Sequence, residues 1–122
     1  MKIRKLNEGD LLDLFNWRND KFTRKMFTKG NVIDFSEHEK WFIKSKNNPN
    51  IEFYIGVEGN KKLGVVRFEF DKLTESSELS ININPLMRGK GYGKDLLKKS
   101  IRQYINNNKN LLKAKIKNEN DI

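Results

Sequence analysis

An alternating strand, a glycine-rich turn and a patterned helix follow one another in the second half of the sequence. Residues 78–84 alternate polar and apolar side chains, and Pro85 ends the hydrogen-bond ladder of that strand. The turn 88–94 (RGKGYGK) carries three glycines among basic residues. Apolar side chains then recur at helical spacing: Leu96, Leu97, Ile101 and Ile105. Such a turn directs several backbone N–H groups to one place beside the positive end of a helix dipole, which predicts a phosphate-binding site.

The glycine turn does not match the two common nucleotide-binding motifs. A Walker loop requires Ser or Thr after Gly-Lys, but Asp95 follows Gly93-Lys94, and Arg88 stands where its first glycine should be. The glycines are spaced Gly-x-Gly-x-Gly, whereas the dinucleotide fingerprint requires Gly-x-Gly-x-x-Gly. A turn that merely reverses the chain is the alternative, and the flanking basic residues favour anion binding over it.

The remaining pattern predicts a mixed α/β fold with the order β-α-α-β-β-β-α-β. The first strand covers residues 2–6, and a helix capped by Asn7 follows, ending at residues 17–20. A long connection, residues 21–35, leads to a second helix for which Ser36 and Glu39 predict a capping box. Two strands joined by a hairpin turn at 58–61 follow. After a polar turn at 72–77 come the strand at 78–84, the helix after the glycine turn, and a fifth strand at 112–117. The connection through the last helix predicts that the fourth and fifth strands are parallel, in an otherwise antiparallel sheet.

Composition limits the class of protein. With 122 residues, the chain has room for one domain, residues 1–122. It has no cysteine, which excludes disulfides, thiolate metal sites and a cysteine nucleophile, and its single histidine, His38, argues against a multi-histidine metal centre. The sequence lacks an apolar run of about 18–20 residues and a signal-like N-terminus, so we expect a cytoplasmic protein with no membrane partner. The net charge of +9 comes with 19 Lys, 6 Arg and 16 Asn, a profile that AT-rich coding also produces.

The residues Arg88-x-x-Gly91-x-Gly93 fit the (Gln/Arg)-x-x-Gly-x-(Gly/Ala) signature of the GNAT acyl-CoA N-acyltransferases. The order of elements over residues 1–120 is also similar to that family, including the strand before the motif and Asn120 after the fifth strand. The resemblance implies a GNAT-like fold, transfer of an acetyl group from acetyl-CoA to a primary amine, and no metal.

The resemblance also implies which residues bind acetyl-CoA. Its pyrophosphate would lie on the backbone amides of the turn: Arg88, Gly89, Lys90, Gly91, Tyr92, Gly93 and Lys94. Its pantetheine arm would pair with the backbone of Ile81, Asn82 and Ile83, because a strand splayed from its neighbour offers backbone groups that need partners. Asn120 would contribute from beyond the fifth strand.

Amine attack on a thioester requires a neutral amine, so a base or a water chain must accept a proton. Glu78 at the start of the fourth strand is the first candidate, and Glu69 on the third strand is the second. A solvated or salt-bridged carboxylate is the alternative for both.

The family fold normally continues beyond the fifth strand through a helix and two more strands. The resemblance therefore implies a fold truncated after strand five, without the tyrosine that protonates the leaving thiolate in many relatives. Tyr92 and Tyr104 on the last helix are poorly placed to substitute for it. We expect either a shortened chain or one completed by a partner, with a homodimer through the exposed fifth strand as one arrangement.

The residues 17–20 (WRND) and the later Ser36-x-His38-x-x-Trp41-Phe42 resemble the N-terminal half of amino-sugar N-acetyltransferases that act on nucleotide-linked sugars. The resemblance implies that Arg18, Asn19 and His38 bind the acceptor. Arg67 is a further candidate because it lies mid-strand and faces away from Phe68. The alternatives are structural: an ion pair of Arg18 with Asp20 or Glu37, a surface histidine near a helix start, core packing of Trp41 and Phe42, and a solvent-facing Arg67.

The sequence is compatible with three functional classes. The leading one is an acetyl-CoA-dependent N-acetyltransferase whose favoured acceptor is a nucleotide-linked amino sugar, with protein N-termini as an alternative acceptor. The second is a catalytically inactive acyl-CoA-binding module. The third, nucleic-acid binding driven by charge, lacks a strand or helix motif to support it.

Overall fold

The computed structural model describes residues 1–20 and 32–108 and the backbone of a strand at 115–118. The sheet strands are β1 (Lys2–Lys5), β2 (Ile51–Glu58), β3 (Lys61–Asp71), β4 (Ser76–Ile83) and β5 (Lys115–Asn118). The helices are α1 (Leu11–Asn19), α2 (Phe35–Lys46) and α3 (Tyr92–Asn108), with 3-10 turns at Glu8–Asp10 and Pro85–Met87. The predicted order of elements is confirmed. None of the described helices is both long and apolar enough to cross a membrane.

The strands form one sheet in the order β1-β2-β3-β4-β5. The first four strands are antiparallel, and β5 is parallel to β4, as the crossover through α3 predicted. The hairpin between β2 and β3 turns at Gly59, which has φ +60° and so uses the left-handed conformation that glycine tolerates. Residues 112–114 of the predicted fifth strand lie outside the described residues, and so do residues 21–31 of the long connection.

Two apolar clusters cover the two faces of the sheet. On one face α3 packs against a cluster that includes Tyr54, Phe68, Ile81, Leu96 and Tyr104. On the other face α1 and α2 pack against a second cluster: Leu14, Trp17, Phe42, Ile51, Phe53, Ile55 and Val65. Because alternate residues of a strand face opposite sides, β2 and β3 contribute to both clusters, whereas β4 contributes to the first cluster only. The polar side chains of the fourth strand, at 78, 80 and 82, share the face of α1 and α2 with Val65.

Three predicted helix details are wrong. The second helix begins at Phe35 with Asp34 as its N-cap, because the Asp34 carboxylate accepts from the Ser36 N–H at 3.1 Å and replaces the predicted Ser36–Glu39 capping box. The last helix begins at Tyr92, so Gly93 and Lys94 belong to its first turn. Ile105 is 44% exposed, and Tyr104 takes the predicted core position, with its hydroxyl 2.6 Å from that of Ser77.

Asp10 joins β1, α1 and β3 through a buried ion pair. Its carboxylate is fully buried and accepts two hydrogen bonds from Arg4, each 2.8 Å, and it lies 2.9 Å from Lys62 Nζ. The Asn7 N–H also donates to it at 2.9 Å, closing a capping box with the Asn7 side chain. Burial alone would raise the pKa of Asp10, but these hydrogen bonds from Arg4, the Asn7 backbone and Lys62 outweigh it and lower the pKa from 3.8 to about 2.

Asp10→Asn is expected to lower the free energy of unfolding by about 2 kcal/mol, less than a fully buried pair because Arg4 and Lys62 can return to water. Since the folded pKa is below the unfolded value, the contribution of Asp10 is complete above pH 3.8 and is lost as pH falls toward 2. Urea unfolding at pH 7 and pH 3 measures both effects. Asp13→Asn is the matched control, because Asp13 pairs with the same Lys62 at 2.7 Å but is 43% exposed, and we expect it to cost less than about 1 kcal/mol. Equal costs for the two variants would contradict the account.

Candidate active site

The glycine turn is held between the end of β4 and the start of α3. The Asn84 side chain donates to the Lys62 carbonyl at 2.9 Å and accepts from the Leu86 N–H at 3.1 Å, which fixes the exit of β4 against β3. Gly89 and Gly91 have φ +78° and +81°, a conformation that other residues rarely adopt. These two left-handed residues turn the backbone so that it enters α3 at Tyr92.

A cavity of about 420 Å³ opens in front of this turn. It is lined by Ile83, Met87, Arg88, Gly89, Gly91, Tyr92, Gly93, Lys94 and Leu97. A Cβ added at Gly89 or Gly91 would meet no heavy atom within 4 Å. The space next to these two glycines is therefore open. The site combines small residues, the amide end of a 17-residue helix and a lysine at its edge, which fits a diphosphate. Lys90 is exposed beside the turn.

Within the described residues, the pairing of β4 with β5 ends at Ile81, before β4 itself ends. Its parallel register runs from Glu78–Lys115 to Ile81–Asn118, and β4 continues to Ile83. The side chains of Ile81 and Ile83 belong to the core under α3, and Asn82 lies opposite Val65 on the other face. Of these three predicted cofactor-binding residues, Ile83 also lines the cavity. Asn120 lies outside the described residues.

The guanidinium of Arg88 contacts the end of α1. Arg88 Nη1 donates to Asp20 Oδ2 at 2.8 Å, and each side chain is about one quarter exposed. The ion pair places the first residue of the glycine turn next to the helix that carries Arg18. The two partners are 68 positions apart, and no sequence pattern indicates their contact.

Arg18 lies between α1 and α2 with its charge partly buried. Its guanidinium carbon is 4.0 Å from the centre of the Trp41 ring, and Nη1 is 3.0 Å from His38 Nδ1. Arg18 has no ion pair with any carboxylate in the described part of the chain, so the predicted alternative of a pair with Asp20 or Glu37 is wrong. Burial lowers the pKa of Arg18, and the charge of Arg67 lowers it further. The charges of Arg18 and Arg67 therefore act on each other on this face of the sheet.

His38 is buried rather than a surface residue near the helix start. It is 0% exposed, and its Nε2 is 2.9 Å from the Leu11 carbonyl oxygen. Burial lowers the pKa of His38, a hydrogen bond to Leu11 raises it and Arg18 lowers it again, with a net decrease. The signal for its burial is present in the sequence, because His38, Phe42 and Ser45 are spaced i, i+4, i+7 and all three are buried.

Arg67 faces the same side of the sheet as α1 and α2. Its Nη2 donates to both carboxylate oxygens of Glu69 at 3.1 Å, and it lies opposite Ser80 in the β3–β4 register. Arg67 Nε and Asn82 Oδ1 are buried with no hydrogen-bond partner among the described residues. A donor and an acceptor on one face of β3 and β4 are therefore left for a ligand or for water.

The side-chain amide of Asn19 hydrogen-bonds to the backbone of the connection between α1 and α2. Its Oδ1 accepts from the Ile33 N–H at 2.7 Å and its Nδ2 donates to the Ile33 carbonyl at 3.0 Å. This reciprocal pair holds the chain just before α2 against the end of α1. Acceptor binding by Asn19 stays a prediction from the resemblance.

Glu69 and Glu78 are brought together by strand register. They are directly opposite each other in β3 and β4 and line a cavity of about 380 Å³ with Asn48, Asn50 and Asp71 among its other residues. The Glu69 carboxylate is bonded to Arg67. Glu78 precedes Ile81, the last β4 residue with a described β5 partner, by three residues or about 10 Å of extended strand.

Comparison with known proteins agrees with this geometry. The family described as "Acetyltransferase (GNAT) domain" matches residues 1–121. The chain is 28% identical to Acetyltransferase PseH of Campylobacter jejuni over 116 residues, covering 94% of this chain and 71% of that protein. It is 26% identical to the uncharacterized N-acetyltransferase YfmK of Bacillus subtilis over 98 residues, covering 80% of this chain and 62% of that protein.

The fold is shared with solved structures. A crystal structure of spermidine N-acetyltransferase from Vibrio cholerae in complex with CoA and spermine superposes with a TM-score of 0.80 at 23% identity, covering 94% of this chain and 69% of that one. A domain from Methanocaldococcus jannaschii gives a TM-score of 0.70 at 23% identity, covering 88% and 71%. From the family match and these relatives, this chain belongs to the GNAT acetyltransferase family and is an acetyl-CoA-dependent N-acetyltransferase.

Proposed function

We propose that this enzyme acetylates the primary amine of a nucleotide-linked amino sugar. The observation that carries the proposal is the Arg18 guanidinium, whose carbon lies 4.0 Å from the centre of the Trp41 ring and whose Nη1 lies 3.0 Å from His38 Nδ1, between α1 and α2. Arg18 is held by a histidine and an aromatic ring, with no carboxylate on it in the described residues. A guanidinium in such a position would favour binding of a phosphate group of the acceptor.

Arg18 argues against a polyamine acceptor. The Vibrio cholerae neighbour was solved with spermine, a polycation, which the charge of Arg18 would repel. A nucleotide diphosphate would instead neutralise Arg18, whereas Arg67 is already paired with Glu69. The half-buried Trp41, against which the Arg18 guanidinium lies, adds an aromatic surface beside it.

The acetyl donor would lie in the groove formed by the glycine turn and β4. In this proposal the amides of residues 89–94 hold the diphosphate of acetyl-CoA, and the backbone of Ile81–Ile83 pairs with the pantetheine arm. A β4 N–H would polarise the thioester carbonyl as negative charge develops on its oxygen. Glu78 would accept the ammonium proton through a water, since it lies too far along β4 for direct contact.

Thiol release from acetyl-CoA, measured with a panel of amines, tests the proposed acceptor. We expect the highest kcat/KM for a nucleotide-linked 4-amino sugar, with lower values for the free amino sugar, spermine and a peptide with a free N-terminus. Preference for spermine or for the peptide would contradict the proposal. CoA binding without thiol release from any amine would favour an inactive acyl-CoA-binding module.

Arg18→Gln is expected to raise the KM for the nucleotide-linked acceptor about tenfold, because it removes one charge-assisted hydrogen bond at a half-exposed site. The KM for acetyl-CoA and the kcat/KM for the free amino sugar should stay within twofold of wild type. Arg102→Gln removes an exposed arginine of α3 and serves as the charge-matched control. Equal losses for the phosphorylated and free acceptors would contradict the role of Arg18.

A further inference from the structure

His38 is enclosed by rings from two helices. Phe15 of α1 lies 5.3 Å from the His38 ring between centroids, and Trp41 and Phe42 of α2 lie at 5.6 Å and 6.3 Å. The Phe35 ring is also near, at 6.4 Å between centroids. Because His38 is 0% exposed, its imidazole cannot contact a substrate. Its two nitrogens are instead both occupied within the protein.

The two partners of the imidazole determine its protonation. The Leu11 carbonyl can only accept, so His38 Nε2 carries the proton at 2.9 Å from it. The Arg18 guanidinium can only donate, so Nδ1 offers its lone pair at 3.0 Å. Both bonds are satisfied together only by the neutral imidazole with its proton on Nε2.

This neutral imidazole restricts where the Arg18 guanidinium can be. A free arginine side chain has many rotamers, and holding one geometry costs conformational entropy. Here Nη1 is bound to His38 and the flat face rests on Trp41, both from α2. The remaining N–H groups are presented in a defined orientation before any ligand arrives, which reduces the ordering cost of binding.

We propose that His38 is a positioning residue: a buried, neutral hydrogen-bond acceptor that fixes Arg18 for the anionic group of the acceptor and does not itself touch substrate. The inference rests on the proposed function, which supplies the anion. It assigns to His38 a role different from the direct acceptor binding that the sequence resemblance implied.

Protonation of His38 would remove this role. Nδ1 would become a donor and lose Arg18, and a second positive charge would face the guanidinium. Among the described residues, the charged group in contact with the ring is Arg18 from α1, on whose pKa the charge of Arg67 from β3 also acts, whereas Glu37 and Glu39 on α2 itself are exposed. Selectivity for the anionic acceptor over its free counterpart is therefore expected to fall as pH is lowered through the pKa of His38, which burial holds below its usual value of 6.5.

Two substitutions separate the two nitrogens of His38. His38→Gln keeps a donor near the position of Nε2 but removes the acceptor for Arg18, and His38→Asn keeps an acceptor near Nδ1 but leaves Leu11 without its donor. We expect His38→Gln to raise the KM for the nucleotide-linked acceptor about fivefold, as for one lost hydrogen bond. His38→Asn should stay within twofold of wild type and lose the pH dependence of selectivity. Both should keep the acetyl-CoA KM and the kcat/KM of the free amino sugar.

A measurement on the unaltered protein covers the case in which a variant does not fold. His38 is the one histidine in the sequence, so its long-range 1H–15N signals need no assignment strategy. We expect the pattern of an Nε2–H tautomer at pH 7.5 and a protonation midpoint below 6.5. A proton on Nδ1, or a midpoint at or above 6.5, would overturn the proposal.

The outcomes for Arg18→Gln and the His38 variants distinguish the two proposals. An increased acceptor KM for Arg18→Gln with an unchanged KM for His38→Gln would overturn the positioning role alone. No change for Arg18→Gln would overturn the anionic acceptor and the positioning role with it. Increased KM values for Arg18→Gln and His38→Gln but not for His38→Asn would support both.

Discussion

Gly91→Asp is expected to weaken CoA binding at least about 100-fold, because two effects act in the same direction. Gly91 has φ +81°, so any side chain there strains the turn and shifts the amides that would hold the diphosphate. The added carboxylate would also place a negative charge against the diphosphate in a site built for anions. Calorimetric titration of CoA into the variant measures the loss.

Gly59→Asp is the control for backbone strain and charge. Gly59 has φ +60° in the β2–β3 hairpin, and a Cβ added there also meets no heavy atom within 4 Å. The two variants therefore add the same carboxylate to the same kind of backbone, at different places in the fold. We expect CoA affinity within twofold of wild type for Gly59→Asp. Similar CoA affinities for both folded variants would mean that the glycine turn does not bind the cofactor.

Glu78→Gln is expected to lower kcat about 100-fold at pH 7, at the lower end of the range for general bases because the proton would pass through a water. Glutamine has nearly the same shape but cannot accept the ammonium proton. The CoA affinity should stay unchanged, since Glu78 is not among the residues that line the glycine-turn cavity. The deficit should grow as pH is lowered, because more of the free amine is then protonated and deprotonation limits the rate more strongly.

The cross-strand neighbour of Glu78 provides the comparison. Glu69→Gln is expected to have a smaller effect on kcat, because the Glu69 carboxylate is already bonded to Arg67. Steady-state rates between pH 6 and 9 for the two variants and wild type decide between them. A pH–rate profile of Glu78→Gln that coincides with that of wild type would remove Glu78 as the base, and a larger loss for Glu69→Gln would exchange the two assignments.

The strands and the glycine turn could be predicted because their signals are local. Alternation in β2 to β4 follows directly from the geometry of a strand, and Gly59 marks its hairpin by a conformational need. Residues 88–93 carry the family motif within six positions. Each of these features depends on neighbours in sequence, so a single sequence contains enough information for them.

The acceptor side of the site could be predicted only in part, because its contacts are distant in sequence. Arg18 and His38 are 20 positions apart and Arg88 and Asp20 are 68 apart, so their pairing depends on how α1 and α2 pack on the sheet. The start of α2 was predicted incorrectly for a local reason. Asp34 and Ser36 are both good N-caps, and the carboxylate is the one that caps the helix.

A crystal structure of the wild-type protein with CoA tests the central claim most directly. We predict that the diphosphate oxygens lie within hydrogen-bond distance, about 2.7–3.2 Å, of the backbone N–H groups of residues 89–94 at the start of α3. Density for the diphosphate elsewhere on the protein, with side chains of the chain filling the turn, would contradict it.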